Sequence, residues 1–396
     1  SHTIGYLNES EGRGVSGIEL VFDKDLSRGQ EEILAAVVDG HNRLIKGRGY
    51  RLAQSKQSSY NVVLSIDRDL QQEVERIADR RLIQGAVVVM DPQNGDILAL
   101  ASRPNFYPGK VSDQLQTDRS SLINRTVCGY QPGSVFKTVV AAAALEEGQA
   151  GLFQTFNCPG GAEVSGLYFP CSHLHPKDEL TLVEAFAYSC NTVFIKLALQ
   201  LGGDKLNYYA QQFGLGKPTG IPLEGQDGLL PSAVELEQPR CMANSAIGQG
   251  NVLTTPVQVA RMMAVVANGG RDIKPRLVLA LTDERGNKVR NYISWKGKKV
   301  ISKSTANKLR YMMQAVATLG TGRSANLTQQ PVGVKTGTAE SGRFKEGREI
   351  LNYWIAGFYP LDNPRAVIVV FADSLREGGV GQVFGEIARY LELYGD

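Results

Sequence analysis

The sequence has no apolar run long enough to cross a membrane. Its longest, Val139–Leu145 and Ala366–Ala372, fall far short of the ~18 residues that a span needs. An excess of one charge is lacking too: 43 Lys+Arg stand against 40 Asp+Glu, a net of +3, where nucleic-acid-binding domains carry a clustered and much larger basic excess. No nucleic-acid partner is expected. Cysteines number five, an odd count and too low for a disulfide scaffold, and they leave the compartment open. The four histidines, His2, His41, His173 and His175, give a Ser-His-Asp hydrolase few candidate bases. Gly-x-x-x-x-Gly-Lys-Ser/Thr and His-Glu-x-x-His are both missing, which removes the case for a phosphate-loop nucleotidase or a common zinc protease. Gly12-Arg-Gly14-Val-Ser-Gly17 fits Gly-x-Gly-x-x-Gly, yet no strand–helix unit surrounds it, which argues against dinucleotide binding. The absence of a fixed-period repeat argues against solenoids and propellers. No targeting segment opens the chain, which begins Ser1-His2-Thr3; we expect a trimmed sequence whose targeting segment is gone.

What is present describes a folded chain. Of 396 residues, 42% are hydrophobic, enough to exclude disorder and to fill the core of two or three domains. Residues 1–60 are rich in Gly and charge and read as a small accessory region, leaving 61–396 as the main domain. There a strand-like run, Asn61–Ile66, meets Asp67, a good helix N-cap, followed by Leu70, Val74, Ile77 and Leu82 at helical spacing. Gly85–Met90 and Asp96–Ala101, joined by the turn Asp91-Pro-Gln-Asn-Gly95, predict a hairpin of buried strands. From Val135 to Ala267 the pattern is mostly helical. Thr181-Leu-Val-Glu184 has capping-box form, and Val193, Phe194, Leu197 and Leu201 continue an apolar face until Gly202-Gly203. Strands return at Val332–Thr338, Tyr353–Tyr359 and Ala366–Ala372, with a closing helix near Phe384–Leu393. Strands at both ends with helices between predict an α+β fold: one mostly antiparallel sheet drawn from both termini, flanked by helices, with a helical subdomain.

Three short patterns carry chemistry. Gln131-Pro-Gly-Ser134-Val-Phe-Lys137, the one Ser-x-x-Lys in the chain, leads into the apolar run Thr138–Leu145. This places Ser134 at or near a helix N-terminus with Lys137 one turn on, on the same face. A neutral lysine amine can take the serine proton, provided that burial or neighbouring cations depress its pKa. The competing reading is an N-cap serine followed by a solvent-facing lysine. Ser189-Cys-Asn191 offers a hydroxyl to relay a proton and an amide to hold a carbonyl and a lysine; its alternative is a polar helix break. Val334-Lys335-Thr-Gly-Thr338 sets a lysine and two hydroxyls along a strand edge, a carboxylate site in which Gly337 admits a ligand backbone. An exposed basic edge strand is the alternative.

Taken in this order, the three motifs resemble those of the serine penicillin-recognising proteins. The chain resembles a class B penicillin-binding protein, a peptidoglycan D,D-transpeptidase, over nearly all its length. Gly12–Asp23 with Leu26, Leu64–Gln71, Gly95–Ser102, Ser245–Gly250 and Thr255-Pro256 are similar to further family landmarks. The resemblance implies a penicillin-binding transpeptidase fold at 61–396 and a pedestal or linker remnant at 1–60. It implies that Ser134 is the nucleophile and Lys137 its base, that Ser189 relays a proton, and that Asn191 positions the donor amide. Lys335, Thr336, Gly337 and Thr338 would bind the substrate carboxylate, with the backbone N–H groups of Ser134 and Thr338 as oxyanion hole. No metal or organic cofactor is required. The implied partners are peptidoglycan stem peptides, β-lactams and a membrane-embedded glycan polymerase. The implied place is the outer face of a bacterial cytoplasmic membrane, reached through an N-terminal anchor outside this sequence.

Two rivals share the fold: within the enzyme class a β-lactamase, for which Glu235 and Glu237 are the acidic candidates, and from another class a β-lactam sensor or silent scaffold. Cys190 departs from the Asp of the usual middle motif, and a buried apolar cysteine is expected there rather than a reactive thiol. Cys158, Cys171, His173 and His175 lie close in sequence. Outside the cytoplasm a Cys158–Cys171 disulfide could contribute roughly 3 kcal/mol; a zinc site, with Asp178 as a further ligand, and free thiols are the other readings. Cys128 and Cys241 are read as core residues.

Overall fold

Asp67 caps its helix as expected. In the computed structural model its side chain accepts a hydrogen bond from Leu70 N at 2.8 Å and opens α1 (Arg68–Arg81), which buries Leu70, Val74, Ile77 and Ala78. The structure describes residues 1–396 apart from positions 9, 28–31, 37, 42, 46–49, 55–58, 346, 377–378 and 396. At Leu82 the chain turns into β1 (Leu82–Met90), which pairs antiparallel with β2 (Ile97–Arg103) across the predicted Asp91–Gly95 turn.

The middle of the chain is largely helical, and α2 (Lys137–Glu146) is its centre. Residues 137–145 are all buried, because Thr138–Leu145 offers no polar face to water. Thr181 and Glu184 form the predicted capping box and open α3 (Leu182–Ala187). The apolar face read as continuing from there is interrupted: α4 (Asn191–Leu201) is a separate helix, because Ser189 has φ +59° and a left-handed residue cannot continue a right-handed helix. Thr255 caps α5 (Pro256–Ala267), which is buried throughout, and α6 (Lys303–Thr318) follows. Two small hairpins absent from the sequence reading interrupt this region. Thr155–Asn157 pairs with Glu179–Thr181, and Gly161–Val164 pairs with Leu167–Pro170. The second turns at Ser165 and Gly166, both at positive φ, as tight hairpins require.

The C-terminal strands β3 (Gly333–Lys345), β4 (Arg348–Tyr359) and β5 (Ala366–Leu375) complete a five-stranded antiparallel sheet of order β3-β4-β5-β1-β2. Strands from both sides of the helical region therefore build one sheet, and β3 is one of its two edges. Both faces of the central strands are covered: residues 86–90 of β1 and 366–372 of β5 are almost fully buried. Helix α5 packs on β1, β4 and β5, while α1 and α7 (Val380–Tyr394) pack on the sheet and on each other. Helix α6 packs on both β3 and α3, joining the edge strand to the helical layer. The fold is α+β.

Near the N-terminus, Ile18 and Phe22 join the main core. Asn61–Leu64 pairs with Val278–Thr282 in a separate three-stranded sheet. Among the described residues, no helix is long and apolar enough to cross a membrane.

Candidate active site

Ser134 lies in a 3-10 turn, Gly133–Phe136, that runs directly into α2, whose first residue is Lys137. Its side chain caps neither helical segment, and Lys137 is fully buried. The alternative of a capping serine with a solvent-facing lysine is thereby excluded. Backbone contacts fix the turn. Gly133 N donates to Gly248 O at 3.0 Å, within the Ser245–Gly250 segment, and Trp354 Nε1 donates to Gln131 O at 2.9 Å from β4. Gly133 has φ +54°, and a Cβ there would sit 2.5 Å from Thr338 O. A Cβ on Gly337 would sit 2.5 Å from Pro132 O. Two glycines thus let the edge strand lie directly against the serine turn.

The other predicted side chains converge beside this turn. Ser189 and Cys190 form the break between α3 and α4, and Asn191 is the first residue of α4. Lys137 Nζ donates to Ser189 O and to Asn191 Oδ1, both at 2.7 Å, and lies 3.4 Å from Ser189 Oγ. Lys335 Nζ, reaching across from β3, donates to Ser189 Oγ at 3.0 Å and to Thr336 O at 2.9 Å. Asn191 Nδ2 donates in turn to Pro170 O at 2.6 Å, on the second small hairpin. Phe194 lies under the Lys137 amine at 5.7 Å and Phe186 under that of Lys335 at 5.5 Å. The alternative reading of β3 is half right. It is an edge strand, but Lys335 is fully buried rather than exposed.

Burial decides the charge of these lysines. Desolvation pushes Lys137 down from the ordinary lysine range to about 8, against a smaller opposing pull from the nearby Cys190 and Cys171. Lys335 is pushed well below its ordinary value, first by burial and then by repulsion from Lys137. A neutral Lys137 has two N–H donors and one lone pair. Two acceptors at 2.7 Å take both donors, which leaves the lone pair free to act as a base. The remaining polar groups line the open side: Thr336 is half-buried, Thr338 is exposed, and Thr336 Oγ1 hydrogen-bonds Thr321 Oγ1. Thr321, Gln131, Asn352 and Pro170 support the site from loops, from β4 and from the second small hairpin; no local pattern marks them, since their partners Thr336, Trp354, Gln131 and Asn191 are brought to them from elsewhere in the chain.

Glu235 has no part in this arrangement. It completes a capping box with Ser232, and both Glu235 and Glu237 are exposed.

The cysteines fall differently from the sequence reading. Cys158 Sγ and Cys171 Sγ stand 3.6 Å apart and unbonded, and Cys171 Sγ is 3.9 Å from Cys190 Sγ. His175, together with Cys158, Cys171 and Cys190, places its ligand atom within 4.8 Å of all the others. His173 and Asp178 are exposed and stand outside this group; Asp178 supplies a backbone carbonyl to Cys158 N. The fourth member, Cys190, is buried in the hydrophobic core as expected, with Cys171 Sγ 3.9 Å from its own sulfur. The Cys190 hydrogen bond draws the Cys171 thiol down, and the same bond with burial pushes Cys190 up. Cys128 and Cys241 are half-buried rather than central to the core.

Comparison with known proteins places this geometry among relatives. The family model of the penicillin binding protein transpeptidase domain matches residues 85–391. Stage V sporulation protein D of Bacillus subtilis is 32% identical, over 98% of this chain and 60% of that protein. The peptidoglycan D,D-transpeptidase MrdA of Acinetobacter baumannii is 29% identical, over 96% of this chain and 62% of that protein. The chain thus spans about three fifths of the length of these curated relatives. Among solved structures, the D,D-transpeptidase domain of a peptidoglycan glycosyltransferase from Eggerthella lenta superposes with a TM-score of 0.82 at 29% identity, covering 100% of this chain and 90% of that one. Penicillin binding protein 3 from Mycobacterium tuberculosis, complexed with aztreonam, gives 0.83 at 26% identity, covering 99% and 87%.

Proposed function

The chain belongs to the penicillin-binding protein transpeptidase family, and from that premise we propose that it is a serine D,D-transpeptidase that cross-links peptidoglycan stem peptides and is acylated at Ser134 by β-lactams. The observation that carries this reading is the buried hydrogen-bonded group of Lys137, Ser189, Asn191 and Lys335 set against the Ser134 turn. Relatives named as peptidoglycan D,D-transpeptidases support it, as does a neighbour solved with a β-lactam bound.

In this reading the Lys137 lone pair takes the Ser134 proton as Oγ attacks the carbonyl between two terminal D-alanines. The backbone N–H groups of Ser134 and Thr338 hold the oxyanion. As the C–N bond breaks, the proton passes from Lys137 through Ser189 to the departing amine, a path that the 3.4 Å separation of Lys137 Nζ and Ser189 Oγ suits. Asn191 positions the donor amide. Lys335, Thr336 and Thr338 hold the terminal carboxylate across the gap that Gly337 leaves. An amine from a neighbouring stem peptide then attacks the acyl-enzyme, gives up its proton along the same path and frees Ser134. We assign residues 1–60 to a pedestal or linker remnant and 61–396 to the transpeptidase domain. We place its work on the outer face of a bacterial cytoplasmic membrane, beside a membrane-embedded polymerase that supplies glycan strands.

Intact-mass spectrometry after mixing with penicillin tests the assignment, with Ser134→Ala alongside. The expected result is a lasting one-drug adduct on the native chain that the variant lacks. An adduct on both proteins removes Ser134 as nucleophile, and an adduct that vanishes while hydrolysed drug accumulates makes the protein a β-lactamase.

A further inference from the structure

We propose that the loop Tyr292–Trp295, with the basic strands Lys288–Asn291 and Lys296–Lys299 on either side of it, is a membrane-contact surface that docks on anionic lipid. Residues 271–310 hold twelve Lys+Arg against three Asp+Glu, whereas the whole chain holds 43 against 40. The rest of the chain therefore carries an acidic excess, and the basic character is concentrated here. From Lys288 to Lys303 there are six Lys or Arg and no acid. Asp272 is taken by Arg261, and Arg276 by Asp96. Among the described residues, the exposed Lys288, Lys298 and Lys299 pair with no carboxylate. Cations clustered without counter-charges are drawn to a layer of anionic headgroups, each one tightening the contact about fivefold.

Charge alone would suit any polyanion; the apolar groups choose among them. Within the same stretch Ile293 is 87% exposed, and Val289 and Trp295 are exposed too. Ile293 does not owe its position to a loose loop. Tyr292 N donates to Leu279 O at 2.9 Å and its ring meets Phe22 edge-on, while Ser294 Oγ donates to Asn94 O at 2.6 Å. With both neighbours tied inward, the isoleucine between them is held out in water, an unfavourable place for it. Lys274 Nζ lies 4.9 Å from the Trp295 ring centroid, so the indole stands beside a cation, as suits the headgroup layer where amphipathic rings gather. A soluble phosphate polymer offers nothing apolar to Ile293, whereas lipid offers both headgroup charge and hydrocarbon. Phe22 also ties the loop to the N-terminal region, the side from which an anchor would reach the membrane. That placement rests on the proposed transpeptidase reading; the lipid contact does not.

The test co-sediments the whole 396-residue chain with vesicles of phosphatidylglycerol and phosphatidylcholine, and with vesicles of phosphatidylcholine alone. We expect binding to the anionic vesicles only, released at about 1 M salt, where charges are screened beyond about 3 Å. Lys288→Gln, Lys298→Gln and Lys299→Gln together should weaken it by about 10²-fold, and Ile293→Ser, which removes no charge, by about tenfold. All four side chains are exposed, so both variants should keep the native circular-dichroism spectrum. A native chain that ignores anionic vesicles, or a triple variant that binds them as tightly as the native chain, overturns the surface. An Ile293→Ser chain indistinguishable from the native one, with both captured by soluble inorganic polyphosphate, makes this a general polyanion site and overturns the lipid contact. Fluorescent-penicillin acylation of the same samples separates the two readings. A chain that is acylated but binds no vesicle removes the surface and leaves the reaction, and one that binds vesicles but is never acylated does the reverse.

Discussion

If Lys137 is the base that deprotonates Ser134, acylation must follow the neutral fraction of its amine, and burial fixes where that fraction rises. With the amine held at about 8, roughly 1% is neutral at pH 6, about 10% at pH 7 and about half at pH 8. An ordinary lysine near 10.4 would be only about 0.4% neutral at pH 8. Deprotonation creates the active form, so the rate rises with pH below the pKa and levels above it. The second-order rate constant for acylation by a β-lactam with no titrating group between about pH 6 and 9.5 should therefore climb close to fifty-fold from pH 6 to 8, and only about twofold more beyond. Stopped-flow fluorescence across that range measures it. A flat profile would remove Lys137 as base. A climb of tenfold per unit persisting past about pH 9.5 would mean that burial does not depress the amine, and the argument from its two occupied donors would fail with it.

Two substitutions probe the geometry separately from the charge. Gly337→Ala puts a methyl 2.5 Å from Pro132 O and 3.2 Å from Val135 N, which must push β3 off the serine turn; we expect acylation to fall by about 10²-fold, as misplacement by ~1 Å typically costs, and a rate equal to the native one would show that the contact is not needed. Ser189→Gly and Ser189→Ala both remove the hydroxyl that Lys335 donates to, but only glycine relieves φ +59°. Both should lose most activity, while thermal unfolding should find the glycine variant more stable than the alanine variant by about 1 kcal/mol; equal stability would mean that the segment carries no backbone strain.

The parts of the fold that could be read from sequence are those governed by neighbouring residues. The Asp67 cap, the Thr181–Glu184 box and the Asp91–Gly95 turn each depend on groups a few residues apart, and all appear as expected. The valine-rich strands were legible for a related reason. Residues buried on both faces are nearly continuous apolar runs, so Val87–Val89 and Val367–Val370 could belong only to the interior of the sheet. The two short hairpins in the helical region escaped because strands of three or four residues carry too little alternation to register. Their one local signal was Ser165-Gly166, a dipeptide suited to a tight turn.

At the site, motif spacing located the polar residues but could not say what surrounds them. Lys335 shows why. Read along β3 it looks like a charged residue on an open edge, and the strand is indeed an edge. It is buried because Phe186 and Ser189, well over a hundred residues earlier, close over its amine. The same enclosure depresses its proton affinity and that of Lys137. The chemistry of both lysines is therefore a property of the break between α3 and α4, whose shape follows from a serine in the left-handed region. The neighbouring cysteine illustrates the same limit. In sequence Cys190 is a departure within a three-residue motif; in space it lies 3.9 Å from Cys171. That contact makes the segment between Ser189 and Asn191 answerable to a hairpin that the motifs do not include. A contact between two such segments becomes visible only when the fold has placed them together.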